Sequence, residues 1–189
     1  AVQKNAGYQI MSYIITRSGR HFSFIDISSA NLRVSEIATA LSNTCRFAGH
    51  LKDFYSVAQH SVLCSELVAP EFAFEALMHD AAEAYIGDVT DPLKDLLPDY
   101  RAIEERVDRV IRKTYGLPEV HSREVKKADL IMLATERRDF GLDDGTPWPI
   151  LEGVEPASIV IEPLPPHKAR VLFLERYSDL LWTHHENGV

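Results

Sequence analysis

Residues 70–83 read Pro70-Glu71-Phe72-Ala73-Phe74-Glu75-Ala76-Leu77-Met78-His79-Asp80-Ala81-Ala82-Glu83. Pro70 suits the first turn of a helix, and Phe74, Leu77 and Met78 carry an apolar face forward into His79 and Asp80. An imidazole and a carboxylate in a segment whose period assigns it to the core are costly unless they are paired or bind an ion. His79 and Asp80 are adjacent, with Glu83 four residues from the first and three from the second, so the spacing brings all three to one side of a helix. Two more polar residues share this character. His60, within Ser56–Val68, has Val57, Leu63, Cys64 and Leu67 at −3, +3, +4 and +7, and Asp129 stands at +4 from Val125 and −3 from Met132. Both therefore face inward on helical stretches.

Working outward from this region, the chain reads as all-α with a small N-terminal β-hairpin. Tyr13–Thr16 and His21–Ile25 flank the turn-prone Arg17-Ser18-Gly19-Arg20, predicting two short strands that serve as a lid or edge element. From Ser35, placed to cap, the period becomes helical through Val34, Ile37, Ala38 and Leu41. Pro98–Tyr115 is strongly amphipathic, with Ile103, Val107, Val110 and Ile111 on one stripe and Gly116 as its stop. Ser122 is placed to cap a helix reaching about Phe140, with Val125, Ala128, Met132 and Leu133 on its stripe. The Pro- and Gly-rich stretch 141–166 reads as a long ordered or semi-ordered loop. His167–Trp182 closes the chain as a helix that offers Val171, Leu172, Leu174 and Leu181 for packing.

Composition bounds the possibilities further. At 189 residues, 46% hydrophobic and 25% charged, the chain fits one folded domain, here 11–189, with residues 1–10 read as a tag remnant or flexible tail and Met11 as a natural start. A formal charge of −8 argues against binding a nucleic-acid polymer, so an anionic substrate would be met by a few local cations, Arg46, Lys52, Lys94 and Arg101 being candidates, or by a metal. Cys45 and Cys64 are too few for a disulfide framework and read as reduced, structural thiols of a cytoplasmic protein. No run approaches the roughly 18 apolar residues of a membrane span. His50 is explained as well by a loop surface as by a substrate contact. His184 and His185 read as a frayed tail, because adjacent helical side chains diverge by about 100°.

The set His60, His79, Asp80 and Asp129 offers imidazole and carboxylate ligands for one divalent ion, with Mn, Co, Zn, Fe or Ni all compatible; the lack of clustered thiols argues against a structural zinc site. At this point the chain resembles the HD-domain metal-dependent phosphohydrolases, whose pattern is a His, an adjacent His-Asp pair on a following helix and a distant Asp within a helical bundle. Arg46-Phe47, Ser56-Val57-Ala58-Gln59-His60-Ser61 and His79-Asp80-Ala81-Ala82-Glu83 through Gly87-Asp88 to Pro92-Leu93-Lys94 are similar to the 5′-deoxynucleotidase branch and its prophage-encoded relatives, over roughly residues 11–180. The resemblance implies catalysis by Glu83 and Asp88, the former accepting or orienting a water proton and the latter, if protonated, donating to the departing oxygen. It implies substrate contacts from Arg46 as a phosphate clamp, Lys94 as a point charge, and Phe47 and Ile86 near the sugar or base. It also implies a homo-oligomer, a dimer or higher. The expected substrate is a small-molecule nucleotide, a (deoxy)nucleoside 5′-monophosphate. The alternatives are a deoxynucleoside triphosphate, favoured only if more basic residues line the pocket mouth, a cyclic nucleotide or alarmone, and a non-catalytic module that keeps the metal as a staple.

Overall fold

The computed structural model describes residues 12–186, with side chains described through Trp182, so the expectation for residues 1–10 falls outside the described residues. Two antiparallel strands open it, β1 (Tyr13–Ile15) and β2 (His21–Ser23), in the register Tyr13↔Ser23, Ile14↔Phe22 and Ile15↔His21. Gly19 at φ +79° makes the turn. The hairpin is pinned to the bundle and not free as a lid. Phe22 is fully buried and stacks on Tyr85 at 4.0 Å, and Glu36 accepts hydrogen bonds from Thr16 Oγ1 at 2.6 Å, Ser18 N at 3.3 Å and the Ser18 hydroxyl.

Eight α-helical segments follow among the described residues: α1 (Val34–Asn43), α2 (Val57–Glu66), α3 (Pro70–Met78), α4 (Glu83–Ile86), α5 (Asp91–Lys94), α6 (Pro98–Tyr115), α7 (Arg123–Asp139) and α8 (Pro166–Glu186). The arrangement is mostly helical with the expected hairpin. α2 lies at its centre, packed against α1, α3, α7 and α8, which explains why almost all of its residues are buried whichever way they face. Its polar side chains are satisfied locally. Ser56 caps it by accepting from Gln59 N at 3.2 Å, and Ser61 and Ser65 donate to Val57 O and Val62 O. Gln59 reaches outward, donating to Glu162 O and accepting from Leu164 N, each at 2.8 Å, and this helps to order the loop 141–166. Arg138, Thr135 and Asp139 hold the same loop at Ala157, Ile159 and Ile161.

Several boundaries differ from expectation for local reasons. Ser35 lies inside α1, whose cap position is Arg33. Ser122 does begin α7, but its hydroxyl goes to buried Glu75 and not to its own helix. Among the described side chains of α8 the buried ones are Ala169, Phe173 and Leu180, while Val171 is exposed. The helix read through residues 70–83 breaks after Met78. Bonds from Ala81 N to Met78 O (3.1 Å), Glu83 N to Asp80 O (3.0 Å) and Ala84 N to Ala81 O (3.3 Å) tighten the chain to an i→i+3 pattern before α4 starts. Gly116, at φ +67°, ends α6 as read. No helix among the described residues is long and apolar enough to cross a membrane.

Candidate metal centre

Four elements converge on one point: α2 supplies His60, the tight turn after α3 supplies His79 and Asp80, α7 supplies Asp129 and Glu136, and the turn Arg46–Gly49 supplies Arg46. That last turn is fixed from both sides, because Arg46 N donates to Tyr55 O at 2.9 Å and Val57 N to Thr44 O at 3.0 Å. Beyond Arg46 the backbone is strained, with Phe47 at φ 55° and Ala48 at φ 50°.

His60 is fully buried. Its Nδ1 lies 2.6 Å from Glu136 Oε1, while its Nε2 faces Asp129 Oδ1 at 3.2 Å, Cys64 Sγ at 3.4 Å and Asp80 Oδ2 at 3.6 Å. The second imidazole repeats the arrangement. His79 Nδ1 is 2.7 Å from Ala76 O, and its Nε2 faces Asp80 Oδ2 at 3.2 Å and Asp129 Oδ1 at 3.9 Å. A backbone carbonyl can only accept, so His79 Nδ1 carries hydrogen and the neutral ring turns its Nε2 lone pair inward. That Nε2 is buried and has no hydrogen-bond partner.

Electrostatics point the same way. Burial pulls the His60 imidazole down, as does Arg46, yet Cys64, Glu136 and the hydrogen bond to Asp129 leave it well above its ordinary value. For His79, burial is again outweighed, here by Asp80 and Asp129, and its value is raised. Asp129, read as facing inward, stands at the cavity wall with its side chain 44% exposed; burial pushes its carboxyl up, but the hydrogen bond from His60 and the proximity of His79 hold it well below the carboxylate range. The cluster therefore favours positive charge at its centre.

Ligand atoms held tetrahedrally about 2.1 Å from an ion lie roughly 3.4 Å from one another. The Nε2-to-carboxylate separations here, 3.2, 3.6, 3.2 and 3.9 Å, bracket that spacing. With the orphaned His79 Nε2, this makes His60, His79, Asp80 and Asp129 a set that fits a divalent cation. Candidate ligand atoms of His60, Cys64, His79 and Asp129 also lie within 4.8 Å of one another, although burial pushes the Cys64 thiol up to about 11.

The remaining sequence-predicted residues divide. Glu83 is buried, its Oε2 has no partner and its Oε1 is 4.0 Å from Lys94 Nζ; burial, then Asp80 and Asp88, push its carboxyl well above the ordinary range. Asp88 is half-buried, and burial together with Asp80 raises it against the opposing pull of Arg46 and Lys94. Arg46 donates from Nε and Nη2 to Glu136 Oε2 at 3.1 and 2.8 Å, leaving Nη1 3.9 Å from Asp80. Lys94 pairs with Glu104 at 2.8 Å. The Phe47 ring lies 5.5 Å from the Arg46 guanidinium carbon, whereas Ile86 packs against the hydrophobic core. A cavity of about 380 Å³ opens from His79, Asp80, Glu83 and Asp129 toward Lys94, Lys126 and the acidic face of α6, and Arg46, Phe47, Ile86 and Asp88 are not among its lining residues.

Sequence reasoning missed Glu136, although its position seven residues after Asp129 places both on one helix face. It also read Cys64 as purely structural, whereas the thiol touches the His60 nitrogen that faces the centre.

No protein-family model matches the chain. It is 29% identical over 186 residues to the uncharacterized protein RCAP_rcc00048 of Rhodobacter capsulatus, covering 87% of this chain and 93% of that one. It is 60% identical over 171 residues to the uncharacterized protein YfdR of Escherichia coli K12, covering 90% of this chain and 96% of the relative. At that identity and coverage the chain belongs to the same family as YfdR.

Proposed function

We propose that the chain is a metal-dependent phosphohydrolase that releases phosphate from (deoxy)nucleoside 5′-monophosphates. The observation that carries this reading is the pair of buried imidazoles whose Nδ1 atoms are spent on Glu136 and Ala76, with both Nε2 atoms turned toward Asp80 and Asp129. His60, His79, Asp80 and Asp129 would hold one divalent cation, which when bound polarises a phosphoryl oxygen and activates water near neutral pH. The chain's own groups supply the rest. Glu83, buried beside Asp80 and with its carboxyl raised well above the ordinary range, takes and passes on the proton of the attacking water. Asp88, also raised, gives a proton to the departing sugar oxygen, and Arg46, whose Nη1 is not bound to Glu136 and lies 3.9 Å from Asp80, holds a phosphoryl oxygen.

The cation supply favours one phosphate over three. Lys94 is neutralised by Glu104, and Arg101 is committed to Asp95 and to Lys94 O. Lys52 is exposed and does not line the cavity, which leaves Lys126 as the further lysine on its wall and little positive charge for a triphosphate tail.

The test is phosphate, pyrophosphate and triphosphate release from a panel of dNMPs, NMPs and dNTPs by metal-stripped protein given Mn²⁺, Co²⁺, Zn²⁺ or Mg²⁺. Orthophosphate from monophosphates is the expected result. Intact triphosphate from dNTPs would move the same centre to the other substrate, and silence with every substrate and metal would refute the hydrolase reading.

A further inference from the structure

Glu136 stands outside the residues that line the cavity, yet it is completely buried and uses both oxygens. Oε1 meets His60 Nδ1 at 2.6 Å, and Oε2 accepts from Arg46 Nε and Nη2. We infer that Glu136 is a positioning residue that couples the phosphate-binding arginine to the metal-binding histidine: by accepting on both sides at once, it forces hydrogen onto His60 Nδ1 and leaves Nε2 free as a ligand. The inference rests on the proposed metal centre but makes a claim about His60 that holds without any ion.

Arg46 has only N–H groups to offer, so whatever stands at position 136 must present an acceptor to it. A carboxylate has a second acceptor left for His60. A glutamine does not. With its amide oxygen held by the two Arg46 N–H groups, its NH₂ group faces His60 and can only donate. His60 Nδ1 must then accept, the neutral ring carries its hydrogen on Nε2, and that hydrogen points at Asp129 and Asp80 where a lone pair is required. The shape of residue 136 is nearly unchanged, while the tautomer of a residue on another helix is inverted.

The same logic yields a rescue. If Arg46 is replaced by Met, which keeps an apolar stem but no donor, nothing holds the glutamine oxygen away from His60. The amide can turn over, accept from Nδ1 and restore the original tautomer. Removing a second buried group should therefore repair the first lesion, which generic damage to the core does not do.

The experiment compares wild type, Glu136→Gln, Arg46→Met and the double variant, each verified as folded by circular dichroism. Two readings are taken: Co²⁺ and Zn²⁺ affinity by competition with a chelator, and the ¹⁵N shifts of the His60 ring in metal-free protein at a pH where the ring is neutral. Glu136→Gln is expected to weaken metal binding about 10- to 100-fold, the range for loss of a group that orients a ligand, and to move the ring hydrogen to Nε2. The double variant is expected to bind metal more tightly than Glu136→Gln alone and to return the hydrogen to Nδ1, and Glu136→Asp, which keeps both acceptors, should leave it there. An unchanged tautomer in Glu136→Gln, or a double variant no better than the single, overturns the inference. If wild type binds neither metal, the proposed centre fails while the nitrogen shifts still decide the role of Glu136.

Discussion

Replacing Glu75 with Ala should cost the fold about 3–5 kcal/mol, the range for removing one partner of a buried ion pair. Glu75 on α3 and Arg112 on α6 are nearly inaccessible, at 4% and 2% exposure. Glu75 Oε1 accepts from Arg112 Nη2 at 2.8 Å and from Ser122 N at 3.0 Å, and Oε2 accepts from the Ser122 hydroxyl. One side chain thus ties α3 and α6 to Ser122, the cap position of the helix that carries Asp129 and Glu136. Truncation strands the guanidinium with only Pro118 O and the His121 ring, and it strips Ser122 of both partners. For a domain of this size each kcal/mol moves Tm by roughly 2–4 °C, so the loss amounts to about 6–20 °C by calorimetry, with a matching drop in the urea midpoint. The Glu75→Leu, Arg112→Met double variant should recover most of it, since apolar groups of similar volume need no partner. Acid narrows the gap between wild type and Glu75→Ala. Burial raises the Glu75 carboxyl but Ser122 and Arg112 lower it further, so its contribution is present above the unfolded value of about 4.3 and is lost as pH falls through the lower folded value. A single variant within about 1 kcal/mol of wild type, or a double variant no more stable than the single, would refute this reasoning.

Glu83→Gln should lower phosphate release by about 10²- to 10⁴-fold while metal affinity is retained, measured on the metal-loaded protein; full turnover would end the role given to this carboxylate. Asp129→Ala should reduce metal content and the metal-induced rise in Tm together, because a lost ligand also removes the stabilisation coupled to binding. The hairpin should loosen on acidification: burial raises the Glu36 carboxyl, but Ser18 and Thr16 hold it below its ordinary value, so docking is complete above about pH 4.5 and fades as pH falls through the folded value. Protection factors for the amides of residues 13–23 that fall as pH drops, and that do not change with pH in Glu36→Gln, would show it. Gly116→Ala should cost about 1 kcal/mol, since the strain comes from φ +67° alone and no atom stands within 4 Å of the added methyl group.

The helices and the four candidate ligands were legible because their signals are periodic. Ile37, Ala38 and Leu41, then Val107 and Ile111, then Val125, Ala128 and Met132 recur at helical spacing and are buried in the structure. What was not legible depends on partners far away in the chain. Ser122 looks like a cap from its neighbours alone, but Glu75, 47 residues earlier, takes its hydroxyl. The break after Met78 has no Gly or Pro to announce it, and Ala81 and Ala82 are strong helix formers. Glu136 resembled any surface acid of a charged helix until Arg46, 90 residues away, was seen to bind it. Val171 failed for a simpler reason: a long terminal helix with apolar residues all round gives no unique stripe to choose.

The charge around the centre separates the catalytic proposal from a structural staple. Asp80, Asp129 and Glu136 are each matched by His60, His79 or Arg46 at 2.6–3.9 Å. Glu83 is not matched in this way: its nearest cation, Lys94, is 4.0 Å away and already paired with Glu104, and its Oε2 is buried without a partner. A buried acceptor left unmade costs about 1–3 kcal/mol, and a structural metal site would gain nothing by bearing that cost three residues from a ligand. A site that must move a proton would gain, because desolvation and two neighbouring acids raise this carboxyl well above its ordinary range. The two accounts therefore differ in sign as well as in size. If Glu83 serves turnover, the neutral amide of Glu83→Gln relieves the buried charge and leaves the fold as stable as wild type or more so while phosphate release collapses. If Glu83 serves the fold, the same substitution destabilises it.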